Sequence, residues 1–274
     1  ETEDAKLVLA RKYKGSIDWE HSETVFKNLS YSAGNPVIFE TASGDLWYLF
    51  VILKGKYWDD VEFQGAHSSD GGRTWSHPSV MWNGRGMMVR HSPVSVGNDR
   101  LILPAYREDL KRSVILCSEP PYMKWRELYT FEDLALIQPT IVRECNGRLS
   151  IFFRPMGEPH LIWRSHSNDN GTSWGPPVRT PLPNPLSGLD AFALGEKIAV
   201  VYNHTKEHIR SPLSIAVSSD GGISWSEPWD IDTAPHELSY PHFIYDEESR
   251  RVHGVYTYNR RMIKYVSFSF EELT

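Results

Sequence analysis

The chain has 274 residues, 40% hydrophobic and 23% charged, a balance that excludes disorder and fibrous repeats. Lys and Arg total 29 against 35 Asp and Glu, so the net charge is −6. That charge excludes a broad nucleic-acid surface but leaves room for a local cationic pocket, and no apolar run approaches the ~20 residues of a membrane span.

In chain order, Asp4-Ala5-Lys6-Leu7-Val8-Leu9-Ala10-Arg11 reads as one strand. Asn35-Pro36-Val37-Ile38-Phe39, a turn at Ser43-Gly44-Asp45 and Leu46-Trp47-Tyr48-Leu49-Phe50-Val51 predict a hairpin. The same pattern returns at residues 137–142 and 149–153 around Asn146-Gly147. It returns again at residues 243–245 and 252–256 around an acidic turn. No amphipathic helix of ordinary length is predicted. The two cysteines, Cys117 and Cys145, cannot build a disulfide framework and leave the compartment open, secreted and periplasmic settings included.

Three segments repeat one motif. They are Ser68-Ser69-Asp70-Gly71-Gly72-Arg73-Thr74-Trp75, Ser167-Asn168-Asp169-Asn170-Gly171-Thr172-Ser173-Trp174 and Ser218-Ser219-Asp220-Gly221-Gly222-Ile223-Ser224-Trp225. The chemistry is that of a tight hairpin: the Asp accepts backbone N–H bonds, the Gly takes positive φ and the Trp packs the turn onto its sheet. Degenerate copies end at Trp19 and Trp125. Successive tryptophans at 19, 75, 125, 174 and 225 then stand 56, 50, 49 and 51 residues apart. A period near fifty with several short strands per repeat is the signature of a β-propeller blade.

The Ser-x-Asp-x-Gly-x-Thr/Ser-Trp element resembles the Asp-box, or bacterial neuraminidase repeat. Gly34-Asn35-Pro36-Val37, Ile137-Gln138-Pro139-Thr140, Asn184-Pro185-Leu186-Ser187-Gly188, Ser239-Tyr240-Pro241 and Tyr256-Thr257-Tyr258-Asn259-Arg260-Arg261 extend the resemblance to the sialidase-like propellers. It covers nearly the whole chain. It implies an all-β fold, a six-bladed propeller forming a single domain over residues 1–274. The first blade is expected to be incomplete at the N-terminus, with residues 4–11 as its third strand. The C-terminal strand is expected to join that blade and close the ring, which removes exposed edges.

In a four-stranded blade the start of strand one, the end of strand two and the start of strand three share one end. The Asp-box turn lies at the other end, which gives it a structural role. The site end is then outlined by Asn35, Ser92, Gln138, Ser187 and Tyr240 before strand one. Lys54, Arg107 with Glu108, Arg154, Asn203 and Arg260 lie near the end of strand two, and Arg210 opens a third strand. Arg90 and His91 are further rim candidates. A polar, cationic ring on a hydrophobic scaffold suits an acidic sugar.

The resemblance implies roles. Arg154, in Phe152-Phe153-Arg154-Pro155, and Arg210, in Ile209-Arg210-Ser211-Pro212, match two arginines that grip a substrate carboxylate, a task for which the planar guanidinium is suited. Asn35, Asn203, Arg90 and Arg260 complete the expected substrate contacts. Tyr240 matches the nucleophile of a retaining exo-sialidase, where a carboxylate nucleophile would be repelled by the anionic substrate. Gln138 falls where the family carries the glutamate that takes the tyrosine proton, and an amide cannot serve. Glu108 is the first replacement as base, with Glu158, Asp190 and Glu237 behind it. The expected partner is a sialoside or related acidic glycan. A uronic-acid lyase or hydrolase and a non-catalytic glycan-binding propeller are the alternatives. No Gly-rich phosphate loop opens a helix and no metal-ligand spacing occurs, so neither cofactor nor metal is expected. His160, His204, His208, His236 and His242 read as neutral surface residues.

Overall fold

A computed structural model of the chain describes residues 5–273 other than Asn98. Strands β1 (Lys6–Leu9) and β2 (Glu23–Lys27) form an antiparallel ribbon. The first full blade comprises β3 (Ser32–Glu40), β4 (Leu46–Leu53), β5 (Val61–Ser68) and β6 (Ser79–Val80). In the second, β7 (Met87–Val89) and β8 (Val94–Ser95) together form strand one, followed by β9 (Leu101–Arg107), β10 (Arg112–Ser118) and β11 (Arg126–Thr130). The third runs through β12 (Leu136–Arg143), β13 (Leu149–Pro155), β14 (Leu161–Ser167) and β15 (Val178–Pro183). The fourth runs through β16 (Asp190–Leu194), β17 (Lys197–Asn203), β18 (Leu213–Ser218) and β19 (Trp229–Asp232). The fifth has three strands, β20 (Leu238–Asp246), β21 (Arg251–Tyr258) and β22 (Met262–Ser269). The chain is therefore an all-β propeller of five blades, with the β1–β2 ribbon standing for the incomplete blade predicted at the N-terminus.

The middle strands are apolar on both faces because each blade packs between two others. In β4, Leu49 and Val51 face one neighbouring blade in a cluster with Leu103 and Tyr106, whereas Tyr48, Phe50 and Ile52 face Leu7 of the ribbon. In β13, Ile151 and Phe153 pack with Ile102 and Ile115, whereas Phe152 packs with Val200 and Tyr202. The strand period of two sends alternate residues to opposite seams. Each fully buried Leu or Phe contributes about 1.5–3 kcal/mol, so the seams hold the ring together.

Three first strands carry the same irregularity. Pairing slips between Gly34 and Val37 in β3, between Ile137 and Thr140 in β12, and between Ser239 and His242 in β20. Each slip contains an x-Pro pair, since proline cannot donate to the ladder. Its first residue takes a left-handed backbone: φ is 51° at Asn35, 49° at Gln138 and 54° at Tyr240. In the second blade the break is wider, and residues 90–93 separate β7 from β8.

Ring closure differs from the expected strand pairing. Among the described residues β22 pairs only with β21, and β1 pairs only with β2. The seam is filled by side chains instead. Trp19 meets Tyr265 edge-on at 5.3 Å, Lys12 lies 5.1 Å above the same ring, and Lys14 pairs with Glu248 at 2.7 Å.

Candidate active site

The x-Pro slips aim side chains inward at one end of the blades. Tyr240, 38% exposed, has two cations over its ring: Arg90 Cζ lies 5.4 Å and Arg210 Cζ 5.3 Å from its centroid. Its hydroxyl hydrogen-bonds to no described residue. Gly188 is a close-approach position, because a Cβ there would stand 3.0 Å from Tyr240 Cδ1 and 3.1 Å from Arg90 Cζ.

Arg154 lies close enough for its charge to act on Tyr240, Arg90 and Arg210. Desolvation, with the charge of Arg210 behind it, lowers its affinity for its proton, and Tyr240, Tyr106 and Glu108 oppose this. Its hydrogen-bond partner is an amide: Nη1 donates to Gln138 Oε1 at 3.1 Å, and the buried Nε has no partner. Gln138 is buried and also hydrogen-bonds Tyr106, whose phenol burial pushes up to about 12. Gln138 thus joins Arg154 to Tyr106, and among the described residues no hydrogen bond links it to Tyr240.

Arg210 Nη1 donates to Glu237 Oε1 at 2.8 Å, and Arg260 Nε donates to Oε2 at 2.7 Å. Burial pushes the Glu237 carboxyl up, but the bonds from Arg260 and Ser239 and the charge of Arg210 outweigh it, leaving it below its ordinary value. A depression of about 820 Å³ opens beside this pair, lined by Arg210, Glu237, Arg260, His208 and His236 among others.

Arg90 is committed to the scaffold more than the rim reading expects. Nη1 donates to Leu189 O at 2.7 Å and to His91 Nε2 at 2.7 Å, and Nη2 donates to Pro241 O at 3.0 Å. Burial brings its pKa down to about 10, so it stays cationic at neutral pH. His91 is buried rather than on the rim. His91 Nδ1 lies 2.8 Å from Pro139 O, and Nε2 lies 3.0 Å from Leu189 O and 3.4 Å from Asp190 Oδ1. Burial and the nearby Arg90 keep that imidazole neutral.

The other expected residues divide. Asn35 stands at the slip of β3. Asn203 is fully buried, its amide N–H groups donating to Pro212 O and Leu238 O at 3.0 Å each, so it braces two strands instead of facing the rim. Ser187 is likewise buried. Glu108 is held by an ion pair to Lys111, and its charge reaches Tyr106 and Arg154 but it makes no contact with Tyr240. Glu158 is an exposed side chain beside His160. Asp190 is buried, within reach of the charge of Arg90. His242, read from the sequence as a surface histidine, instead stands against Asp190, its Nδ1 3.5 Å from Oδ2. Sequence reasoning named Asp190 as a possible base but missed its meeting with His242, and it missed Tyr106 on β9 altogether; for Asp190 and His242 the available signal was weak, a polar residue on an otherwise apolar first strand.

The family profile described as BNR repeat-like domain matches residues 1–253, and the chain belongs to that family. No curated protein resembles it closely enough in sequence to count as a relative. Its fold is similar to that of the NanB sialidase from Streptococcus pneumoniae, with a TM-score of 0.82 and 11% identity over 98% of this chain and 64% of that one. The chain thus spans less than two thirds of that sialidase. The intramolecular trans-sialidase from Ruminococcus gnavus, solved with oseltamivir carboxylate, gives 0.80 and 12% over 98% of this chain and 88% of that one. A protein of unknown function from Dyadobacter fermentans gives 0.78 and 15% over 93% and 80%. At such identities the likeness is one of fold.

Proposed function

We propose that the protein is a sialidase-like exo-glycosidase that removes an acidic terminal sugar with retention, most simply an α-linked sialic acid. The observation that carries this reading is the cluster of Arg90, Arg154 and Arg210 around Tyr240. Three guanidiniums this close disfavour one another, and Arg154 has only an amide for a hydrogen-bond partner, so a bound carboxylate supplies the missing anion. Arg154 and Arg210 take the substrate carboxylate, with Arg210 held in aim by Glu237. Arg90 supports the Tyr240 ring. Tyr240 attacks the anomeric carbon as a neutral group that the substrate carboxylate does not repel. The sialidases among the similar folds are in keeping with this substrate class.

The test is release of the aryl group from an aryl α-sialoside. Tyr240→Phe is expected to cut turnover by orders of magnitude with an unchanged melting temperature, and near-normal turnover in that variant removes Tyr240 as nucleophile. The pairing of Gln138 with Arg154 favours two other readings of the same cationic site, an acidic-glycan lyase and a glycan-binding propeller. An unsaturated, ultraviolet-absorbing product from a uronic-acid glycan supports the lyase. Binding of the sialoside without turnover supports the binding module.

A further inference from the structure

Asp190 opens β16 and is buried, with 3% of its side chain exposed. Oδ1 accepts the Ala191 N–H at 2.9 Å and the Thr140 hydroxyl at 3.1 Å. Oδ2 accepts the Phe243 N–H at 2.6 Å. One carboxylate therefore ties together β12, β16 and β20, and the strands β12 and β20 carry Gln138 and Tyr240. The remaining neighbour of Oδ2 is His242 Nδ1 at 3.5 Å, a buried nitrogen that makes no hydrogen bond. The His242 side chain as a whole is 40% exposed. With Nδ1 buried, that exposure belongs to the rest of the ring, which includes Nε2. Among the described residues, the other charged or titratable groups packed around the pair are Arg90 and His91; His91 Nε2 stands 3.4 Å from Asp190 Oδ1, and its ring centroid is 6.4 Å from that of His242.

A carboxylate facing Nδ1 favours the tautomer with the proton on Nδ1, which leaves the Nε2 lone pair free. His242 follows Tyr240 by two residues on the same strand, and Arg90 clamps the peptide between them through Pro241 O. We propose that His242, oriented by Asp190, is the proton acceptor of this site, the role for which Gln138 is chemically unfit. The proposal rests on the reading of Tyr240 as nucleophile. As the Tyr240 Oη–carbon bond forms, the phenolic proton passes to His242 Nε2, directly or through one water. The bond from the anomeric carbon to the aryl oxygen breaks, and its electron pair leaves with the aryloxide. In the second half, water attacks the anomeric carbon, the Tyr240 oxygen leaves and retakes its proton from His242, and the water gives its spare proton to solvent. Asp190 is a positioning residue throughout.

His242→Gln is expected to lower kcat on an aryl α-sialoside by about 10²- to 10⁴-fold with little change in KM. It should remove one ionisation from the pH profile of kcat/KM, and added imidazole should restore part of the activity in His242→Gly. Wild-type kcat with an unchanged pH profile in His242→Gln, at a wild-type melting temperature, overturns the proposal. If the wild-type protein itself turns over no sialoside, the glycosidase reading fails, and the pair is judged by ¹⁵N NMR of the histidine rings. A neutral His242 protonated on Nδ1, and changed by Asp190→Asn, supports the oriented acceptor. Protonation on Nε2 in the wild-type protein overturns it.

Discussion

Tyr240, Gln138 and Asn35 share a left-handed backbone that costs a side-chain-bearing residue on the order of 1–3 kcal/mol. The slips in β3, β12 and β20 hold them there, and the gain is direction: each side chain leaves the strand toward the site end. At Gln138 the gain is also chemical, because its amide accepts from Arg154 while bonding Tyr106. Gln138→Leu leaves Arg154 without its amide acceptor and the Tyr106 hydroxyl without its partner. It is expected to lower stability by roughly 1–3 kcal/mol in urea unfolding and to raise KM for an acidic sugar more than it lowers kcat. An unchanged KM would separate Arg154 from substrate binding. The motif Ile137-Gln138-Pro139 was legible as a rim position from its repeat, but the partners of Gln138 were not, since they lie on other strands.

The Asp-box turns illustrate the element scale. Asp220 accepts the Ile223 and Ser224 N–H groups and the Ser224 hydroxyl, and Asp70 does the same within its own turn. The tryptophans then anchor these turns, Trp75 onto its own blade and Trp225 across a seam onto the third blade. Trp75 meets Tyr48 edge-on at 4.8 Å, and Trp225 meets Phe152 edge-on at 5.8 Å. The hydrogen bond from the Ser224 hydroxyl, then those from its backbone, hold the Asp220 carboxyl well below its ordinary value. A carboxyl lowered in the folded state contributes stability above its unfolded value, and that contribution is lost as pH falls toward the folded value. Melting temperatures are therefore expected to fall on acidification below about pH 4. Asp220→Asn should lower the melting temperature at pH 7 and flatten part of this acid dependence, with turnover per folded molecule unchanged because the turn lies at the end away from the site. The hydrogen bonding of these turns was legible in sequence, because every donor and acceptor in the turn lies within seven residues, whereas the aromatic partners of the tryptophans were not.

At the scale of the whole molecule, the ring depends on seams between segments far apart in sequence. The last seam is a side-chain contact of Trp19, Lys12 and Lys14 with the fifth blade instead of a shared ladder. Such a seam opens more easily than a hydrogen-bonded one. Trp19→Ala is expected to raise amide exchange in β1, β2 and β22 while β12 to β18 keep their protection. Uniform exchange across all blades would show that the ring opens only as a unit.

The sequence by itself determined the class of fold, the period of the blades, the structural role of the Asp-boxes and the end of the propeller where polar groups collect. Those features repeat, and their interactions are local. Only the tertiary structure decided which polar groups meet. It bound Arg90 to the carbonyls of Leu189 and Pro241, buried Asn203 as a brace and set His242 against Asp190. The physical reason is convergence: first strands about fifty residues apart in the chain come together at one place in the ring. A buried carboxylate there can satisfy donors from three of them, and no spacing along the chain encodes that meeting.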